Sequence, residues 1–253
     1  MRHVPSVDCG ACFRRGSRQS WRTEREQRCI LMAKLPALIE TLEVFHPEHD
    51  AAAIRYAARA LRHSDAYLLS AGAGGRGAPD MTIRDAVNLL LALNLTQTPS
   101  QYAQATLLGS RLARAPQDMP FPEKTPSVVK HVMAGDTLGQ ALVLLIERAE
   151  DLAPPRLRSD PLADLDSNQP KDDRPAILVQ LTRHGNDLVA SVDMYWKAGK
   201  GFAQVKQFYG GSRSAPRWNR WTTVNFDQAV LLALKRTVVA APPWAFEAER
   251  GRQ

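Results

Sequence analysis

The sequence predicts an α+β protein, with a helical N-terminal half followed by a small antiparallel β-meander and a closing helix. Three observations predict it. Apolar residues recur at three- and four-residue spacing from Leu35 to Ile146, the spacing turns to alternation after Ala176, and a Pro- and Asp-rich stretch without periodicity separates the two regimes. The chain has 253 residues, enough for one large domain or two ordinary ones, and 44% hydrophobic residues are enough to form a core.

The first helix is expected over Leu35–Phe45, where Leu35, Leu38, Ile39, Leu42 and Phe45 share a face and His46-Pro47 ends the run. A second helix is expected over about Glu48–Ser64, capped by Asp50, with Ala52, Ala53, Tyr56, Ala57, Ala60 and Leu61 as its apolar face. Its Arg55, Arg59 and Arg62 stand four and three residues apart, so they form one stripe with His63 beside it. A Gly-rich loop, Ala71–Asp80, follows. Thr82 then caps a third, strongly apolar helix with Asp85 as the partner of a capping box, and Gln97-Thr98-Pro99 ends it. A fourth helix is expected over about Ser100–Arg114. Pro116–Pro126, with four prolines, reads as an extended connector, and Asp136 or Thr137 caps a fifth helix through Asp151.

Beyond residues 153–175, which read as a linker, Ala176–Thr182, Leu188–Trp196 and Phe202–Tyr209 read as three strands joined by turns at His184–Asp187 and Gly199–Gly201. A last helix is expected over about Phe226–Val238. The expected organisation is a basic extension at 1–31, a helical domain at 32–115, a connector and helix at 116–152, the linker at 153–175, and a β-meander plus helix domain at 176–245.

Charge is distributed unevenly. The formal net charge is +7 and the isoelectric point about 9.6, a surplus that favours polyanionic partners. Seven arginines against Asp8, Glu24 and Glu26 give residues 1–31 a net +4, leaving +3 for the remainder. This segment is expected to be a disordered extension, and Met32-Ala33-Lys34-Leu35-Pro36 reads like an ordinary translation start; the competing reading is a basic arm on nucleic acid. It also carries all three cysteines, Cys9, Cys12 and Cys29. An odd cysteine count, no apolar leader and no apolar run of membrane-spanning length point to a reducing cytoplasm and no membrane partner.

The stretch Ala57–Ala92 carries the most chemistry. An Arg-striped helix leads through Leu68-Leu69-Ser70 into a loop with Gly72, Gly74, Gly75, Arg76 and Gly77, and then into a capped helix bearing Arg84. A winged helix has this layout, with one helix in the major groove and a loop against the neighbouring backbone. Arginine supplies phosphate contacts and glycine permits close approach. The plainer reading is a solvated arginine face and a flexible connector. As a nucleotide loop the stretch lacks the Gly-Lys-Ser/Thr ending and a preceding strand.

The residues Ala57–Arg62, Gly75–Thr82 and Arg84–Leu90 resemble a pattern in proteins encoded by phages and prophages of alphaproteobacteria, over about residues 33–114. The resemblance implies a mobile-element setting, in which regulators and DNA-packaging factors are common, and carries no established activity or site residues.

A second basic stretch, Gly210–Trp221, alternates Arg213, Arg217 and Arg220 with Trp218 and Trp221, and Lys197, Lys200 and Lys206 precede it. Aromatics stack on bases and arginines clamp phosphates, but tryptophans also anchor loops to sheets with the arginines solvated. Cys9-Gly10-Ala11-Cys12 lacks regularly spaced partners for zinc and the strand-helix context of a redox motif. The histidines do not cluster, and His46 and His49 read as capping or surface residues. The acidic residues Asp160, Asp164, Asp166, Asp172 and Asp173 read as a solvated linker. No catalytic motif is present, so neither an enzyme nor a cofactor is expected. The first expectation is a DNA-binding regulator or packaging accessory that engages double-stranded DNA through Arg55, Arg59, Arg62, Arg76, Arg84, Arg213, Arg217 and Arg220. The alternative is a structural or adaptor protein acting through a homo-oligomer or a phage protein partner.

Overall fold

The structure, a computed structural model, describes residues 35–70, 80–96, 98–116, 121–154, 157–158, 176–184, 187–210 and 222–239. The N-terminal extension with its cysteines, the glycine loop with Arg76, most of the 153–175 stretch, and the loop with Arg213, Arg217, Arg220, Trp218 and Trp221 lie outside the described residues.

Helix α1 spans Leu35–Phe45 as its periodicity predicts and buries Leu38, Ile39 and Leu42. Helix α2 spans Ala51–Arg62, shorter than the expected 48–64 because Asp50 sets its start: Asp50 Oδ1 accepts a hydrogen bond from the Ala53 N–H at 2.7 Å. Its buried face is Ile54, Ala57, Ala58 and Leu61, which corrects the expected apolar face. Ala52 and Tyr56 stand on the solvent side, opposite Ile54. Helix α3, Ile83–Leu95, is buried on almost every side, as an all-round apolar helix must be, and α2 packs against it. The capping box at its start is complete: Thr82 Oγ1 accepts from the Asp85 N–H, and Asp85 accepts from the Thr82 N–H.

The expected fourth helix breaks into parts. A 3-10 turn at Pro99–Gln101 leads into α4, Tyr102–Ser110, and the chain then becomes extended. A short helix not anticipated, α5 at Ser127–Val132, follows the proline-rich connector. Thr137 caps α6, Leu138–Glu147, with Oγ1 accepting from the Gln140 N–H at 3.3 Å, and the run to Asp151 divides at Arg148 into α6 and α7, Ala149–Leu152.

Strands β1 (Ala176–His184), β2 (Asp187–Ala198) and β3 (Gly201–Tyr209) form the expected antiparallel meander. A fourth strand, β4 at Thr222–Asp227, pairs antiparallel with β1, giving the order β3-β2-β1-β4. Phe226, expected at the start of the last helix, belongs to β4, and that helix, α8, spans Gln228–Val239. On one sheet face Ile177, Val179, Leu181, Val192, Met194, Trp196 and Phe226 are buried. The alternate residues form a polar face in which Asp193 accepts from Lys206 Nζ at 2.8 Å and Gln204 Nε2 at 3.2 Å.

One hydrophobic cluster runs from α1 to α8 through helices and sheet. Helix α8 packs on α1, α3, α6, α7, β1 and β4. Polar ties reinforce the joint. Arg183 on β1 donates to the Leu95 carbonyl at the end of α3 at 2.7 Å, Lys235 on α8 donates to the Glu147 carbonyl at 2.7 Å, and the Thr41 and Thr237 hydroxyls meet at 2.6 Å. Residues 113–115 run along the outer edge of β3, where Ala115 N–H donates to the Phe208 carbonyl and Gly210 N–H to the Ala113 carbonyl, each at 2.8 Å. That pairing covers an otherwise open strand edge.

Candidate nucleic-acid interface

The interface residues that the sequence singles out fall into three groups. Arg55, Arg59 and Arg62 come together on the outward face of α2, because burying Ile54, Ala57, Ala58 and Leu61 turns these three positions away from the core. Arg84 is exposed on the first turn of α3, beyond the far stem of the 71–79 segment. Arg76, Arg213, Arg217 and Arg220 lie outside the described residues.

Arg55 and Arg59 are exposed and Arg62 is half-buried. Among the described residues Arg114, Arg148, Lys206 and Arg236 form ion pairs, as do His46 and His49 with Glu48, and none of these pairs involves an arginine of α2 or Arg84. Arg62 Nε is buried and has no hydrogen-bond partner among the described residues. His63, the C-cap of α2, is exposed and extends the basic edge.

Tyr56 stands on the solvent side of α2, to one side of the arginine stripe and one turn before Arg59, although its apolar ring suggested the buried side. It is 52% exposed, and its ring meets Tyr102 in an edge arrangement at 6.3 Å between centroids. Tyr102 is buried, and burial raises its hydroxyl above the usual tyrosine range, so it remains a neutral brace. Centring the helical wheel on Ile54 is the signal that finds Tyr56.

Asp85 joins the two stems of the 71–79 segment. Its carboxylate is 4% exposed and accepts from Ser70 N–H at 2.7 Å, Ser70 Oγ at 2.8 Å, Thr82 N–H at 2.7 Å and Thr82 Oγ1 at 2.8 Å. One turn on, Asn88 Nδ2 donates to the Leu68 carbonyl at 2.6 Å. Among the described residues the stems therefore meet through side chains and form no strand pair.

Lys206, expected to add charge near the second basic stretch, is committed to Asp193 and lies 5.4 Å from the Phe208 ring centroid, while Lys197 and Lys200 are exposed. His46, read as a capping or surface residue, is 4% exposed. Its Nδ1 meets Glu48 Oε1 at 3.1 Å, its Nε2 is buried with no partner among the described residues, and burial holds its pKa below the ordinary histidine value. Among the described residues no group of three or more His, Cys, Asp or Glu side chains is placed to hold a metal ion, and no helix is long and apolar enough to cross a membrane.

No family model matches the chain, and no match is found among the curated proteins or the solved structures.

Proposed function

We propose that this protein binds double-stranded DNA through the outward face of α2, in a mobile-element setting as a regulator or packaging accessory. The observation that carries the reading is the stripe of Arg55, Arg59 and Arg62, three guanidinium groups on one helix face with no carboxylate partner among the described residues. A structural salt-bridge face would pair such groups, whereas a phosphate-binding face keeps them open. The braced, half-exposed Tyr56 beside the stripe adds a hydroxyl and a ring of the kind that contacts sugar and phosphate.

The test is duplex binding by the full chain across a salt series. The wild type is expected to bind at low salt and to weaken steeply as salt rises. Each phosphate that a protein neutralises adds about 0.9 to the slope of log affinity against log salt. Replacing all three α2 arginines with alanine is therefore expected to lower that slope by about 2 to 3. An unchanged slope would remove α2 from the interface. No duplex binding at all would favour an adaptor reading, which the residual charge of +3 outside residues 1–31 also supports.

A further inference from the structure

Arg62 differs from the other arginines of its stripe. Arg55 and Arg59 are exposed, so water solvates them, whereas Arg62 is half-buried and its Nε has neither solvent nor a hydrogen-bond partner among the described residues. No carboxylate of the described residues answers it. Asp65, three residues on, is exposed and forms no ion pair with it, and at the other end of the helix Asp50 is engaged by the Ala53 N–H and Glu48 by His46. Desolvating part of a charge without a partner costs free energy. Departures of this kind concentrate at functional sites.

We propose that Arg62 is the anchor of the interface, taking one backbone phosphate of the duplex in a two-pronged hydrogen bond from its two Nη groups, while Arg55 and Arg59 supply diffuse attraction. This rests on the reading of α2 as the DNA-binding face. Two physical effects single Arg62 out, and a third is common to every arginine. Partial burial lowers the local dielectric, which strengthens attraction to a phosphate. A side chain already packed against the protein loses less rotamer freedom on binding. The planar guanidinium matches two phosphate oxygens at once, which a lysine ammonium does not.

The experiment uses the full chain and a fluorescently labelled duplex at fixed low salt, with Arg62→Lys, Arg59→Lys and Arg62→Met, and adds thermal melts without DNA. Arg62→Lys is expected to weaken binding about tenfold or more, whereas Arg59→Lys, which keeps the charge at an exposed position, changes it by about twofold or less. Arg62→Met is expected to melt no lower than the wild type, because it removes an unanswered, partly buried charge. Equal losses for the two lysine variants would overturn the anchor role and leave the α2 reading standing. A melt several degrees lower for Arg62→Met would assign Arg62 to the fold and overturn the proposal. Failure of the wild type to bind duplex would overturn both readings.

Discussion

Replacing Asp85 with alanine removes the one side chain that, among the described residues, bonds to both stems of the 71–79 segment. The cost follows from what remains behind. The Ser70 and Thr82 N–H groups each lose an acceptor at 2.7 Å beside a carboxylate position that is only 4% exposed. A buried donor left without a partner costs about 1–3 kcal/mol. The Ser70 and Thr82 hydroxyls rotate freely and are counted as neutral. The Thr82 N–H bond is itself half of the capping box, so it is counted once. The expected destabilisation for Asp85→Ala is therefore about 2–6 kcal/mol, a large part of the roughly 5–15 kcal/mol that stabilises a typical domain. Asp85→Asn keeps Oδ1 for the Ser70 N–H but turns an amide N–H₂ toward the Thr82 N–H, so about 2 kcal/mol is expected. Urea unfolding with linear extrapolation measures both values. A loss below about 1 kcal/mol for Asp85→Ala, the range of an ordinary surface substitution, would refute the reasoning.

Two further outcomes follow from the same structure. His46 has a folded-state pKa below 6.5, so the unfolded chain takes up this proton first as pH falls. Stability is expected to be fully present above about pH 7, to decline as pH falls through 6.5, and to level once the folded His46 protonates. His46→Phe should flatten that part of the curve in urea midpoints taken against pH, and an unchanged curve would move the dependence to another group. Gly210 has φ +95° and a Cβ there would stand 2.7 Å from the Leu188 carbonyl oxygen, whereas Gly199 has φ +62° and nothing within 4 Å. Gly210→Ala is expected to cost about 2–3 kcal/mol and Gly199→Ala about 1 kcal/mol, and equal urea midpoints for the two variants would contradict the close approach.

Much of the secondary structure was legible because it depends on neighbours in sequence. The end of α1, the Asp50 and Thr82 caps, the Asp85 capping box and the turn at Gly199 are set by interactions within a few residues. Elements that depend on distant partners were harder to read. Strand β4 follows a stretch with no clear alternation and exists by pairing with β1, some forty residues back in the chain. The helix expected to run to about Arg114 ends at Ser110, and residues 113–115 instead give their backbone groups to the edge of β3 and the Asp136 carbonyl. The short α5 lay hidden behind four prolines.

The candidate site divides along the same line. That Arg55, Arg59 and Arg62 share a face follows from helical spacing alone, so the sequence by itself determined the stripe. Which side of α2 faces solvent required the core: Ile54 rather than Tyr56 packs inward, which turns Tyr56 out beside the arginines and half-buries Arg62. The burial of His46 and the closing of the loop stems through Asp85 likewise depend on what packs against them. Local hydrogen bonds and periodicity act over one or two turns and are written in the residues themselves. Exposure and unanswered charge are properties of the packed whole, so only the tertiary structure decided them.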